Sequence, residues 1–129
     1  RQAVAVEFAR RHHVVLVLKG HRSIITDGRR VYLNQTGNPG MASGGMGDVL
    51  AGMVGGLLAQ GLAPEAATRL AVYLHGALAD ELADSVGPIG YLADDLAAAI
   101  PGGLARLQAA ASEVARAGEA ERRPRRRQA

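Results

Sequence analysis

A glycine-rich segment with one carboxylate is the part of this sequence best suited to chemistry. Residues 37–48 hold five glycines and Asp48, and they run directly into an apolar stretch. Glycine allows positive φ and lets the backbone approach a ligand closely. Because a loop that opens into a helix presents free N–H groups at the positive end of the helix dipole, we predict an anion site here. A carboxylate at such a site repels an anion, so its presence suggests a role in proton abstraction or in metal contact.

The spacing of the glycines excludes two well-known phosphate-binding motifs. A Walker A motif needs a lysine followed by serine or threonine after its last glycine, whereas Gly47 is followed by Asp48. A dinucleotide fingerprint needs a third glycine three residues further on, and Gly45-Met46-Gly47 lacks it. What remains is Gly-Gly-x-Gly-Asp at a predicted helix start. A tight loop capped by an aspartate is the structural alternative, but the density of glycines favours a functional site.

A second cluster of cationic side chains follows the first predicted strand. Lys19 is the single lysine in a chain with 14 arginines, and His21 and Arg22 follow it closely. Ligands of open α/β sheets bind beyond the ends of the strands. We therefore predict that Lys19–Ser23 and the glycine segment converge on one phosphorylated ligand. A polar turn between two strands is the alternative interpretation.

Apolar and β-branched runs predict a small sheet ahead of the glycine segment. His13–Leu18 is apolar after its first residue and predicts a strand buried on both faces. Ser23–Thr26 and Arg30–Leu33 predict two short strands, and Asp27-Gly28 between them is a strong hairpin-turn signal.

Two predicted helices flank this sheet in the sequence. Gln2–Arg11 is typical of the end of a helix, with Val4, Phe8 and neighbouring alanines on one face. Met46–Gln60 is apolar on nearly every side, so we expect this helix to be buried. Its glycines would allow a neighbouring element to approach closely.

Further helices complete the predicted fold. Pro64 begins a helix that runs to about Asp84, on which His75 is interpreted as a hydrogen-bonded core residue. A short helix near Leu92–Ile100 is expected to stop at Pro101, and Leu104–Ala117 to continue as helix. Strands followed by helices indicate a layered α/β fold. Four aspartates on these helices are interpreted as surface or capping residues: Asp80, Asp84, Asp94 and Asp95.

Composition limits the remaining function classes. The chain has no cysteine, which excludes disulfides, thiolate zinc sites and cysteine nucleophiles. No apolar leader is visible, and the longest apolar run, 49–62, is too short to span a bilayer, so a soluble cytoplasmic protein is expected. Residues 119–129 hold five arginines and are predicted to be a basic disordered tail without function, outside a domain of residues 1–118.

The glycine segment and its neighbours resemble a known family. Thr36–Gly52 is similar to the signature of the ADP- or ATP-dependent NAD(P)H-hydrate dehydratases, carbohydrate-kinase-like domains of the ribokinase-like fold. Three further segments resemble the same family in the same order: Leu18–Gly20 with Ser23, Ala71–Gly76, and Ala93–Leu96 ahead of Ile100-Pro101. The resemblance implies a ribokinase-like layered α/β/α fold, present as its C-terminal part. Ala79 and Asp94 depart from the family pattern, which often has glycine and serine there.

The resemblance also implies an activity and a set of roles. Hydrated NADH or NADPH would be phosphorylated by ADP or ATP and lose phosphate to return the cofactor. Asp48 would be the catalytic base and would contact the hydrated substrate together with Asn38. Magnesium would accompany the nucleotide, with no metal site in the protein itself. The nucleotide-binding positions implied are Lys19, Gly20, His21, Arg22, Ser23, Gly45, Met46 and Gly47.

The implied partners are small molecules, hydrated NAD(P)H and an adenine nucleotide, with no nucleic acid and no membrane. A full-length protein is expected to be a homo-oligomer. Two alternatives stay open at this point. One is a small-molecule kinase of the same fold, and the other is an inactive fragment that binds nucleotide.

Overall fold

The sheet consists of two consecutive hairpins. In the computed structural model, which describes residues 1–122, its strands are β1 (Leu16–Leu18), β2 (Ile24–Thr26) and β3 (Val31–Leu33). Both pairings are antiparallel, with β2 in the centre. The Asp27 carboxylate accepts hydrogen bonds from the N–H groups of Arg29 (2.8 Å) and Arg30 (2.7 Å), which closes the predicted turn between β2 and β3.

Four helices accompany this sheet within the described residues. A short 3₁₀ turn, Pro39–Met41, lies between the sheet and the second helix. The bounds of the helices are α1 (Gln2–His12), α2 (Met46–Ala59), α3 (Pro64–Ser85) and α4 (Ala93–Arg122). The predicted starts of α2 and α3 are confirmed, and their ends lie within one residue of the prediction.

The helices cover both faces of the sheet. Ile25 points to the side of α3 and joins the core of α2, α3 and α4. Ile24 and Thr26 point to the other face because side chains alternate along a strand, and α1 packs there. The predicted layered α/β arrangement is therefore confirmed, with the helices on either side of a small antiparallel sheet.

The face of α1 that packs on the sheet contains the predicted alanines but not Val4 and Phe8. Ala5 and Ala9 are buried, whereas Val4 is 72% exposed and Phe8 is 48% exposed. The approach is close, since a Cβ on Gly28 would lie 2.6 Å from the backbone of Arg10. Only small side chains fit between backbones at that separation, so the alanines form the contact face.

The first strand is shorter and less buried than predicted. His13 ends α1 in the left-handed conformation, with φ of 53°, and β1 begins only at Leu16. All three residues of β1 are half-buried. The prediction of a strand buried on both faces was wrong because β1 is an edge strand, with a neighbour on one side in the described part of the chain.

Helix α2 is buried along one stripe rather than on nearly every side. Met46, Leu50, Met53 and Leu57 form that stripe. Apart from the nearby backbone of the helix itself, no heavy atom among residues 1–122 lies within 4 Å of the Cβ positions of three other glycines of α2: Gly52, Gly55 and Gly56. The expected close neighbour of these glycines is therefore absent from the described residues.

Helix α4 continues through Pro101, where we predicted an end. A proline inside a helix removes one backbone hydrogen bond and costs about 3 kcal/mol. Packing beyond it offsets that cost, because Gly103 is buried and its Cβ position lies 2.8 Å from Leu78. Leu104 and Leu107 also pack against the core. Helix α4 is described as far as Arg122, and most of the predicted basic tail, residues 123–129, lies outside the described residues.

Nothing in the described helices has the length and apolarity that a membrane span requires.

Two glycines in helix interiors give a matched test of this packing. A Cβ on Gly76 would lie 2.2 Å from Thr36 Oγ1, whereas one on Gly52 would meet open space. We expect Gly76→Ala to lower the free energy of unfolding by about 1–3 kcal/mol through overpacking. Gly52→Ala is expected to raise it by about 0.5–1 kcal/mol, because alanine favours helix. Urea titration of both variants checks this, and equal effects would contradict the packing described.

Candidate functional site

A cavity of about 480 Å³ lies between the β1–β2 turn, the segment that follows β3, the start of α2 and the middle of α3. It brings together six of the residues singled out in the sequence: Lys19, Gly20, His21, Arg22, Ser23 and Met46. Asn38 lines it as well. Residues that the sequence analysis did not select complete the wall, among them Asn34, Thr36, Leu50, Val72 and His75.

The β1–β2 turn is held by its own polar groups. Ser23 Oγ donates to the carbonyl of Gly20 (3.1 Å) and accepts from its N–H group (3.3 Å). Arg22 adopts the left-handed conformation with φ of 54°, which is uncommon for a residue with a side chain. The Arg1 guanidinium donates to the carbonyls of Lys19 and His21, each at 3.2 Å. Lys19–Ser23 therefore forms the polar turn between two strands that the sequence analysis gave as the alternative interpretation. The same turn also forms a wall of the cavity.

Helix α2 begins without a capping side chain. Gly45 precedes the helix with φ of 85°, and no side chain accepts a hydrogen bond from the first turn. The N–H groups of Asp48 and Val49 bond to the Gly45 carbonyl at 3.0 Å. Within residues 1–122 we find no acceptor for the N–H groups of 43–47. Free donors at the positive end of a helix attract anions.

Lys19 brings a positive charge to the same helix end. A Cβ on Gly47 would lie 3.1 Å from Lys19 Nζ, so the ammonium stands directly beside the backbone of the first helical turn. Two sources of positive potential, the ammonium and the helix dipole, therefore act on one point. The glycine at position 47 is what leaves room for the lysine.

His75 connects α3 to the first residue of α2. Its Nε2 lies 2.9 Å from the Met46 carbonyl oxygen, and the residue is only 4% exposed. Since a carbonyl oxygen only accepts, Nε2 carries the hydrogen and donates it. Burial lowers the pKa of His75, and the charge of Lys19 lowers it further, against an opposing effect of the Met46 hydrogen bond. The interpretation of His75 as a hydrogen-bonded core residue is confirmed.

Asp80 and Tyr91 hold the start of the glycine segment, a role that the sequence did not reveal. Asp80 accepts hydrogen bonds from the Gly37 N–H and from Asn38 Nδ2, both at 2.9 Å. The Asn38 amide oxygen accepts from Tyr91 Oη (2.5 Å) and from the Gly40 N–H (3.0 Å). The interpretation of Asp80 as a surface or capping residue was wrong. Its position one helical turn after Gly76, on the face of α3 that contacts Thr36, is the signal that was available.

Asp48 lies apart from the cavity wall. It is exposed in the first turn of α2, and its carboxylate accepts no hydrogen bond within the described residues. Met46 and Leu50 face the cavity, and Asp48 follows Met46 by two residues, which places it on the far side of the helix. Among residues 1–122 no group of three or more histidine, aspartate or glutamate side chains is arranged to hold a metal ion.

Comparison with protein families gives one match over most of the chain. A family described as NAD(P)H-hydrate dehydratase matches residues 1–102. A bifunctional NAD(P)H-hydrate repair enzyme of Moorella thermoacetica is 45% identical over 120 residues, which are 92% of this chain and 22% of the relative. An ADP-dependent (S)-NAD(P)H-hydrate dehydratase of Neisseria meningitidis is 43% identical, covering 65% of this chain and 29% of the relative.

Solved structures show the same likeness. The ADP/ATP-dependent NAD(P)H-hydrate dehydratase of Bacillus subtilis, co-crystallised with ATP and Mg²⁺, matches with a TM-score of 0.77 and 38% identity. The match covers 82% of this chain and 39% of that structure. The chain thus spans between about a fifth and two fifths of the length of these relatives. The expected ribokinase-like fold class is confirmed by this likeness.

The pKa of His75 predicts a pH dependence of stability. Because burial lowers this pKa below its ordinary value of 6.5, the unfolded chain binds more protons than the folded one at mildly acidic pH. The stability that the neutral imidazole contributes is present above about pH 6.5 and is lost as the pH falls toward the folded pKa. Urea titrations from about pH 7.5 to about pH 5 measure this loss.

His75→Gln keeps a donor for the Met46 carbonyl and removes the titration. We expect its stability to fall less steeply with pH than that of the unsubstituted chain. His12→Gln, at an exposed histidine on α1, is the control and should follow the unsubstituted chain. Parallel curves for all three proteins would show that the burial of His75 does not govern the pH dependence.

Proposed function

The chain belongs to the NAD(P)H-hydrate dehydratase family, and we propose that it carries the nucleotide site and the catalytic base of such an enzyme. The reaction proposed is the repair of hydrated NADH or NADPH with ADP or ATP as phosphoryl donor. The observation that carries the proposal is the uncapped start of α2 with the Lys19 ammonium beside Gly47. A phosphate needs such a combination of free N–H groups and positive charge.

The β1–β2 turn and the start of α2 are the two parts of the proposed nucleotide site. Phosphate oxygens would bind the amides of Gly45, Met46 and Gly47, and Lys19 would neutralise part of their charge. The remainder of Lys19–Ser23 would contact the rest of the nucleotide along the cavity wall. The volume of the cavity, about 480 Å³, is within the range of small-molecule sites.

Magnesium would reach this site on the nucleotide. Mg²⁺ is commonly held by substrate phosphates, water and one or two carboxylates, and it does not require a complete set of protein ligands. In this proposal the nucleotide phosphates carry the ion to the site. Bound there, the ion would offset the charge that phosphoryl transfer develops on the phosphate oxygens.

Asp48 is proposed as the base that accepts the proton of the substrate hydroxyl. That oxygen would then bond to the terminal phosphorus as the bond to the leaving nucleotide breaks. The C–O bond to the new phosphate group would then break and release inorganic phosphate, and loss of a proton from the neighbouring ring carbon would restore the double bond of the nicotinamide ring. The support from geometry is that an exposed carboxylate lies in the same helical turn as the free amides, so the phosphoryl group and the base would be neighbours.

Lys19→Met tests the nucleotide site on the chain itself. Removing a charge-assisted contact to phosphate is expected to weaken the affinity for ADP and for ATP by about 10- to 100-fold. Calorimetric titration measures the dissociation constants, and comparison of the two ligands identifies the preferred donor. Arg11→Met removes an exposed cation at the end of α1 and should leave both constants unchanged. Equal affinities for the Lys19 variant and the unsubstituted chain would contradict the site proposed.

Asp48→Asn tests the chemistry in the gene product that contains this chain. Enzymatically hydrated NADH is supplied with ADP or ATP, and the return of NADH absorbance is followed. We expect a loss of at least about 100-fold in kcat, with nucleotide affinity kept within about threefold, because a base acts on the transferred proton and not on nucleotide binding.

Asp94→Asn, at an exposed carboxylate in the first turn of α4, is the control for that experiment and should keep full activity. Full activity of the Asp48 variant would show that another group is the base. No return of NADH absorbance with the unsubstituted protein would refute the dehydratase proposal. Phosphorylation of a sugar or vitamin precursor instead would favour the kinase alternative.

A further inference from the structure

We propose that Asp80 is a positioning residue for the proposed nucleotide site. It fixes the segment Gly37–Met41 against α3, so that this wall of the cavity has its binding conformation before a ligand arrives. The proposal rests on the proposed function for the identity of the ligand. Its structural part, the ordering of the segment by a carboxylate on α3, can be measured without any ligand.

Both carboxylate oxygens of Asp80 accept hydrogen bonds from residues more than forty positions earlier in the chain. One accepts the Gly37 N–H and the other accepts Asn38 Nδ2, each at 2.9 Å. These donors are a backbone group and a side chain of consecutive residues, so one carboxylate sets both the path of the chain and the orientation of the amide. Hydrogen bonds to a charged acceptor are the stronger kind.

The Asn38 amide carries this constraint further along the segment. Its oxygen accepts the Gly40 N–H at 3.0 Å and the hydroxyl of Tyr91, whose side chain is 1% exposed. With Nδ2 directed to Asp80 and the oxygen directed to two other donors, the amide has one orientation that satisfies all three partners. Asn38 therefore holds the cavity wall together through its hydrogen bonds, whereas the family resemblance implies a contact of this residue with the substrate.

Other residues of α3 fix the chain before Gly37 and after the glycines, and Asp80 fixes the backbone between them. Thr36 Oγ1 donates to the Tyr73 carbonyl at 2.8 Å and lies against Gly76, which fixes the segment just before Gly37. His75 fixes the start of α2 beyond the glycines. Between these two anchors, Asp80 is the group on α3 that hydrogen-bonds to the backbone of 37–41 in the described structure.

Asp80→Asn changes the acceptor chemistry at nearly constant size. One of the two oxygens becomes an NH₂ group, which faces a donor and cannot replace the hydrogen bond. Asp84→Asn is the matched control, one turn further along α3 and exposed. Amide hydrogen exchange followed by NMR should show the Gly37 and Gly40 amides exchanging about tenfold faster in the Asp80 variant, and unchanged in the Asp84 variant.

Calorimetric titration of the Asp80 variant with ADP and with ATP distinguishes a positioning role of Asp80 from a simple loss of folded protein. A merely structural role would lower the number of binding-competent molecules and leave the dissociation constant unchanged. We expect the dissociation constant of the Asp80 variant to rise about tenfold with an unchanged number of sites. Tyr91→Phe, which removes a donor to Asn38 and keeps the ring, should shift the constant in the same direction by a smaller factor.

The outcomes distinguish this proposal from the proposed function. Faster exchange at Gly37 with an unchanged dissociation constant would overturn the positioning role, and so would unchanged exchange. If the unsubstituted chain binds neither ADP nor ATP, the proposed function fails. The exchange measurement then decides by itself whether Asp80 orders the segment.

Discussion

The close approach of residues 36–38 to α3 is the constraint on which the candidate site depends. It is possible because Gly76 has no side chain, and the Cβ of any other residue would lie within 2.2 Å of Thr36 Oγ1. On one side of this contact His75 holds the first residue of α2, and on the other Asp80 holds the start of the glycine segment. Helix α3 thus fixes both ends of the segment, while the amides of 43–47 between them are left without protein partners in the described structure.

Helix α2 starts after a residue that has no side chain to cap it. Serine, threonine, asparagine or aspartate before Met46 could accept a hydrogen bond from the first turn, although glycine at that position costs only about a few tenths of a kcal/mol relative to them. Glycine occupies the capping position instead, with a positive φ and no group to accept the first N–H groups. The uncapped donors and the adjacent Lys19 ammonium make a positive region in a chain whose first 118 residues are formally neutral. Local arrangement, and not overall charge, is therefore the basis of the proposed preference for anions.

Features that depend on neighbouring residues in the sequence could be predicted. Asp27-Gly28 specifies its turn, Pro64 specifies a helix start, and the glycines ahead of Met46 specify a loop that opens into a helix. Features that depend on distant partners could not be predicted. The role of Asp80 rests on residues more than forty positions away, and the continuation of α4 through Pro101 rests on packing against α3. The burial of β1 and α2 was overestimated. Apolar side chains show that a face can be buried, but they do not show whether another element covers it.

The two sides of the α2 start allow the proposed base and the proposed anion site to share one turn. Met46 and Leu50 face the cavity that Lys19 also lines, so an anion bound there would lie on the buried side of the helix. Asp48 recurs at helical spacing with Gly52 and Gly55, on the face whose glycines have open space around them in the described structure. A carboxylate on the cavity side would lower the affinity for a phosphate by direct repulsion. In the proposed reaction the nucleotide therefore approaches from one side of the helix end and the hydrated cofactor from the other. The phosphoryl group would pass between them at the free amides of the helix start.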